Sequence, residues 1–394
     1  MSATERENIT VDIYQIMLPV KVCFGVGSLD TIGDEASKLA VKHALIVTDP
    51  GVYKAGLADS VKERLSKAKL SVDIFSEAEP EPTLPRLNAA AEKLGQEGYD
   101  LLVGVGGGSS MDTAKGLSVL LAHGGRGQNY VGINKVPGPG IPIFTLPTTA
   151  GTGSEVTKAA VFDDPEKRSK FGIQSPYILA RLAIVDPTLT YGCPQRVTAV
   201  AGIDALTHAI ESYTSINAST FTDALEVEAM RLIAGSLRAV VKNGSDKEAR
   251  THMAEGALFG GFGIAHAGGA AAHALAYPLG SRFHVPHGVT VGLLLPYVME
   301  YNLSANPPKY ATIAQMLGVN TQGLSLQQAA EKGVEAFKTL AKDIDIPLHL
   351  RDLGIPREAL EEMAVATMDV TRLLANNPKK LTLDDVRRIW QNAW

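Results

Sequence analysis

The sequence of 394 residues predicts two regions of different class, an α/β parallel sheet in residues 1–190 and an all-helical region in residues 191–394. Three observations carry this expectation. As far as about Pro187, short apolar or β-branched runs alternate with longer stretches of helical period. One of those runs leads straight into three glycines, and past Pro187 the texture changes to long Ala-, Leu-, Glu- and Lys-containing segments in which strands are hard to find.

Taken in order, residues 43–48 (HALIVT) read as a buried strand ending at Asp49, and residues 57–65 repeat apolar positions at helical spacing. Residues 71–75 (SVDIF) form the next strand. The turn-forming EAEPEPTLP follows, then a helix around residues 86–94. Residues 101–105 (LLVGV) are a strand that meets the glycines, and residues 141–146 (IPIFTL) are another, closed by Pro147. In the second region, residues 220–241 and 326–340 read as helices set apart by Pro and Gly breaks.

Composition narrows the classes further. With 45% hydrophobic and 20% charged residues, and 42 acids against 37 bases for a net charge of -5, the chain fits neither a disordered nor a collagen-like protein. It has no block of Lys/Arg to capture nucleic acid or an anionic membrane. Cys23 and Cys193 are far apart and form no CxxC pair, so a disulfide framework or thiolate zinc site is not expected and a reducing cytoplasm is. The polar start MSATERENIT is unlike a signal peptide, and no stretch approaches the roughly 20 apolar residues of a membrane span. A soluble cytoplasmic protein is expected.

The first functional signal is a nucleotide site. LLVGVGGGSSMDTAKG (residues 101–116) places strand, glycine turn and helix start in succession, and Gly106, Gly107 and Gly108 let backbone N–H groups approach a phosphate closely. Asp112 and Lys115 fall on the helix that follows. The spacing departs from GxGxxG, and a purely structural turn is the competing reading. A second cluster, LPTTAGTGSEVT (residues 146–157), offers hydroxyl donors at Thr148, Thr149, Thr152 and Ser154; turn formation and capping are its alternative. Two such loops at strand ends favour a nucleotide. Asp49, unless it is only a solvated turn residue, can accept from ribose hydroxyls and repel a 2′-phosphate, which selects NAD over NADP.

The second signal is a metal site. Five of the nine histidines, His208, His266, His273, His284 and His287, fall in the first part of the helical region. Asp204 and His208, four apart, project from one helix face about a turn apart, as two ligands of one cation or as a plain surface contact. His273 opens HALAYPLG, and His287 sits in VPHG, where Pro286 and Gly288 set a turn. One carboxylate with three imidazoles is an O/N set suited to Fe(II) or Zn(II), with no thiolate to favour zinc.

GGGSSMDTAK, LPTTAGTGSEVT, GIDALTHAIE, HALAYPLGSRFHVPHG and the closing NPKKLTLDDVRRIWQNAW together resemble the iron-containing (group III) alcohol dehydrogenases, relatives of lactaldehyde reductase and 1,3-propanediol dehydrogenase, from about residue 12 onward. The resemblance implies a dehydroquinate synthase-like architecture: a Rossmann-like NAD(P) domain, and a helical domain holding one divalent metal, usually iron, in the cleft between them. It puts metal ligands at Asp204, His208, His273 and His287. It puts cofactor contacts at Asp49, Gly107, Gly108, Ser109, Asp112, Thr148, Thr149, Thr152 and Lys170. The implied activity is hydride transfer between NAD(H) and a small alcohol or aldehyde in a homodimer or larger homo-oligomer. A hydroxyacid–oxoacid transhydrogenase with retained nucleotide is the alternative.

Three positions depart from the family pattern. Tyr277 stands where many members carry a second His four residues after the third ligand; it is either a proton relay with a reference pKa of about 10 or a packing residue. Glu81, Pro82 and Thr83 replace Asn-Pro-Thr. His266 stands where Asn is common and is read, like His284, as lying outside the metal shell. The small residues across 260–272 suggest space beside the metal, and Arg282 or His266 is a candidate to accommodate an acidic group of the substrate.

Overall fold

The computed structural model describes residues 14–18, 20–95, 97–164 and 169–394, so the polar N-terminal stretch MSATERENIT and its continuation to residue 13 lie outside the described residues. Nine strands make two sheets among them: β1 (Lys21–Phe24), β2 (His43–Val47), β3 (Ser71–Phe75), β4 (Leu101–Gly106), β5 (Gly132–Ile133), β6 (Ile143–Pro147), β7 (Ala159–Asp164), β8 (Ser169–Gln174) and β9 (Leu182–Val185). The larger sheet is parallel throughout and runs β1-β9-β6-β4-β2-β3. The smaller runs β5-β8-β7, with β7 and β8 antiparallel.

Strands β4, β6 and β9 are buried along their whole length, as expected of a parallel sheet covered on both faces. The alternation of side chains sorts each strand between two cores. Ile46, Val103 and Val105 pack with Ile32, Val61 and Leu65 of the helices Ile32–Lys38 and Leu57–Lys67. Leu45, Val47 and Leu102 face the other way, onto Leu84, Leu87 and Leu117 of the helices Leu84–Leu94 and Gly108–His123.

The strands expected over 43–48, 71–75 and 101–105 form where the sequence places them. The strand expected from residue 141 starts instead at Ile143, because Pro142 has no N–H to enter the ladder. The helix expected from 86 starts at Leu84: Thr83 caps it by accepting from the Arg86 N–H at 3.3 Å, and proline is tolerated in a first turn.

Beyond Val185 no strand occurs among the described residues. The helices Gln195–Thr214, Thr220–Lys242, Lys247–Ala267, Ala271–Phe283, His287–Asn302, Leu326–Asp343 and Leu383–Ala393 enclose one continuous apolar core that contains Tyr310, Phe337 and Trp390. None of the described helices is long and apolar enough to cross a membrane.

Candidate active site

The chain leaves β2 for β3 on one side of the sheet and leaves β4 for β6 on the other. A crevice therefore opens at the carboxyl ends of these central strands. Asp49 follows β2, Gly107 to Ser109 follow β4, and Thr148 to Thr152 follow β6. The Thr148 N–H donates to Gly106 O at 3.0 Å and holds the second and third of these ends together. Gly107 caps the helix Gly108–His123 with no side chain, which leaves the first N–H groups of that helix for an external acceptor.

Lys115 and Asp112, on that same helix, tie down the second loop. Lys115 is wholly buried, and its Nζ donates to Ser154 O at 2.6 Å, Thr157 O at 3.0 Å and Ala159 O at 2.8 Å. Burial pulls its proton affinity down, against the pull of Asp112 and Glu155. Asp112 accepts from Ser154 Oγ at 2.6 Å and from the Val161 N–H at 2.9 Å, so one oxygen holds the loop and the other the strand β7 that follows it. Asp49 is more than a solvated turn residue: its Oδ1 accepts from the N–H groups of Gly51 and Val52, capping a short helix, while Oδ2 meets Ser110 Oγ at 3.3 Å.

Across the crevice the helical region brings the four expected metal ligands together. Asp204 and His208 come from Gln195–Thr214 and His273 from Ala271–Phe283; His287 is the first residue of His287–Asn302, with Pro286 as its cap. Asp204 Oδ1 lies 3.7 Å from His208 Nε2, 3.9 Å from His273 Nε2 and 3.7 Å from His287 Nε2. These gaps are too long for hydrogen bonds. Asp204 Oδ1 and His273 Nε2 are nonetheless buried without any hydrogen-bond partner. Orphaned buried atoms of that kind require an explanation, and a divalent cation among one carboxylate and three imidazoles supplies it.

Two of the three imidazoles are held toward the neutral form that a cation needs. Burial drives His208 below the usual imidazole range, and burial with the neighbouring Lys170 drives His287 well below it, so both present lone pairs. Glu211 accepts from His273 Nδ1 and from the N–H groups of Ala270 at 2.9 Å and Ala272 at 2.6 Å. Burial alone would raise Glu211, but His273 and those two amides hold it below the ordinary carboxylate value. Glu211 thereby favours a proton on His273 Nδ1, with Nε2 on the side of Asp204, and against the effect of burial it raises the proton affinity of the imidazole. The sequence reading missed Glu211. Its signal was present: in GIDALTHAIE it follows His208 by three residues and Asp204 by seven, on the same helix face.

Both sets of residues meet in one cavity of about 520 Å³. Gly108, Ser109, Asp112, Thr152 and Lys170 line it from the sheet side, and Asp204, His208, His273, Tyr277 and His287 from the helical side. Asp49, Gly107, Thr148 and Thr149 lie outside its lining. Lys170 reaches the cavity from β8, a strand the sequence reading did not find, and is ion-paired with Glu81 of the departing Glu-Pro-Thr segment. Burial opposes its charge, yet Glu81 and Asp163 raise its proton affinity overall.

Other expectations need correction or placement. His266 donates from Nδ1 to Phe262 O at 2.7 Å and accepts on Nε2 from the Met17 N–H at 3.2 Å; it lines the cavity and takes no part in the metal cluster. Arg282 does not face the cavity, because it pairs with Glu362. The small residues of 260–272 do not all open space. An added Cβ on Gly261 would lie 2.8 Å from Gly153 Cα, and Gly260 and Gly263 face Glu226, so only residues 264–269 of this run line the cavity.

A sheet switch point opening onto a buried carboxylate and imidazole cluster is the arrangement of a dehydrogenase that works at the seam between an α/β and a helical region. Comparison with known proteins gives the family. Residues 19–187 match the iron-containing alcohol dehydrogenase description and residues 198–394 the C-terminal part of the Fe-containing alcohol dehydrogenase family. The chain belongs to the iron-containing alcohol dehydrogenases and is an oxidoreductase. It is 42% identical over 387 residues to long-chain-alcohol dehydrogenase 1 of Geobacillus thermodenitrificans, covering 98% of each chain. A crystal structure of 1,3-propanediol oxidoreductase superposes with a TM-score of 0.94 at 39% identity, covering 97% of this chain and 100% of that one. Sulfoacetaldehyde reductase from Bifidobacterium kashiwanohense, solved in complex with NAD+, superposes with a TM-score of 0.88 at 28% identity over 97% and 99% of the two chains.

Proposed function

We propose that this chain is an NAD(H)-dependent alcohol dehydrogenase or aldehyde reductase, in which residues 1–190 bind the nucleotide and residues 191–394 hold one divalent ion, Fe(II) or Zn(II), on Asp204, His208, His273 and His287. The observation that carries the reading is the pair of partnerless buried atoms, Asp204 Oδ1 and His273 Nε2, facing each other at 3.9 Å. When bound, the ion would supply Lewis-acid polarisation of a substrate oxygen and the nicotinamide a hydride acceptor or donor.

The chain's own residues do the rest. The N–H groups at Gly107, Gly108 and Ser109 receive a phosphate at the helix N-terminus. Asp49 Oδ2, which also accepts from Ser110 Oγ, is the oxygen that would receive a ribose hydroxyl, while Oδ1 caps its helix. Thr148, Thr149 and Thr152 offer hydroxyls beside it, and Lys170 supplies positive charge from the cavity wall. Glu211 fixes the His273 tautomer. Tyr277, on the helical wall, is the hydroxyl available to pass a proton to or from the substrate oxygen.

Chelation tests the reading. Metal-stripped protein is expected to lose NADH-linked aldehyde reduction and to regain it with Fe(II) or Zn(II); full activity without metal would sink the proposal. His273→Ala is expected to lose the ion by elemental analysis, and His266→Ala to keep the stoichiometry. NAD that survives gel filtration, with turnover independent of added cofactor, would point to the transhydrogenase.

A further inference from the structure

We propose that the cleft is shaped for an alcohol or aldehyde bearing an anionic group, carboxylate or sulfonate, and that Arg372 binds that group. The inference rests on the dehydrogenase reading of the same cavity and names its substrate class.

Arg372 belongs to the short helix Thr371–Leu374 and lines the cavity together with Leu373. It has no hydrogen-bond or ion-pair partner among the described residues, whereas Lys170 is spent on Glu81 and His266 on backbone groups at both nitrogens. Lys158, the other cavity cation without a side-chain partner, stands between Thr157 and Ala159, whose carbonyls Lys115 holds, and so belongs to the nucleotide wall. Arg372 stands on the opposite wall, where the helix Thr371–Leu374 packs against Ala271–Phe283, the helix that carries His273. The acids of the lining are Glu81, Asp112 and Asp163 on the sheet side and the ligand Asp204. Apart from Asp204, the proposed metal ligand, the helical wall of the lining carries no acid, and Arg372 has no ion pair among the described residues.

The turn that carries Arg372 is held in place. Asn376 donates from Nδ2 to Gly269 O at 2.9 Å, accepts from Asn217 Nδ2 at 2.9 Å, and receives the Ile216 N–H on its own carbonyl at 3.0 Å. Gly268, at a φ of 77°, lets Asn376 approach so closely that an added Cβ would lie 2.5 Å from Nδ2. The backbone turn that carries Arg372 is thus tied to the loop that leads into His273. A planar fork on an ordered wall suits a two-oxygen anion, and with the reacting oxygen at the ligand cluster it gives the substrate a two-point hold.

The test compares succinate semialdehyde with butanal, equal in carbon number and different in charge, on the metal-loaded enzyme with NADH; sulfoacetaldehyde serves as the sulfonate arm. The wild type is expected to favour the anionic aldehydes in kcat/KM. Arg372→Met is expected to lose on the order of ten- to a hundredfold on them, mainly through KM, since a hydrogen-bonded charge is at stake. Butanal kinetics and the KM for NADH should change less than about twofold, and Arg372→Lys should keep part of the preference. Equal turnover of charged and neutral aldehydes, equal losses on both, or a rise confined to the KM for NADH would overturn the inference. If neither aldehyde reacts, the dehydrogenase reading itself has failed. Calorimetric titration with succinate then decides the arginine site: heat of binding lost in Arg372→Met sustains it, and identical titrations refute it.

Discussion

At the scale of single residues, the site is made by a few buried charges whose partners are set by the fold. Three of the four proposed metal ligands carry a local signature, a four-residue helical interval for Asp204 and His208 and Pro and Gly beside His287. The ion pair of Lys170 and Glu81 was not, because it joins positions 89 residues apart. Glu155 gives a pH test. Burial pushes its carboxyl up to about 7 from 4.5, with Lys115 pulling the other way. The folded state then holds a proton that the unfolded chain releases, so stability falls as pH rises from about 4.5 and levels off above about 7. At about 1.4 kcal/mol per unit, the total is on the order of 3 kcal/mol. Glu155→Gln is expected to gain stability relative to the wild type between pH 5 and 8, read from urea midpoints; parallel curves would refute this.

At the scale of elements, the central strands could be read because runs such as HALIV and LLVGVG are apolar on both faces. The edge strand β1 and the pair β7 and β8 could not. β1 is four residues long and pairs only with β9, some 160 positions later, and β7 alternates buried with half-buried residues. The glycine-led helix has a role beyond the proposed phosphate seat, since Lys115 makes it the anchor of the loop that follows β6. Lys115→Met leaves the carbonyls of Ser154, Thr157 and Ala159 without their donor. A loss on the order of 3 kcal/mol in folding stability is expected from urea denaturation, with a raised KM for NAD and unchanged metal content. A variant of wild-type stability would show that the loop holds itself.

At the scale of the whole molecule, the change of texture near Pro187 was visible in the sequence, while the contact between the two regions was not. That contact includes backbone against backbone: Gly153, at a φ of 64°, meets Gly261 of the helix Lys247–Ala267, and a Cβ on Gly153 would lie 2.4 Å from Gly261 Cα. Gly153→Ala is expected to lower the melting temperature by several degrees, as an overpacking cost of about 1–3 kcal/mol would. Gly192→Ala, where an added Cβ meets nothing within 4 Å, is expected to leave it near the wild-type value. Equal shifts would deny the seam its importance.

The four proposed metal ligands and Glu211 all fall between Asp204 and His287, on three helices, and no strand contributes to them. Ion seat and nucleotide seat are therefore separable parts in inheritance. Substitutions at the strand ends can retune which nucleotide is held without disturbing the ion, and changes among the helices can alter the ion or the substrate without disturbing the nucleotide. The glycine seam is common property, and a lineage that modifies either part must leave it intact.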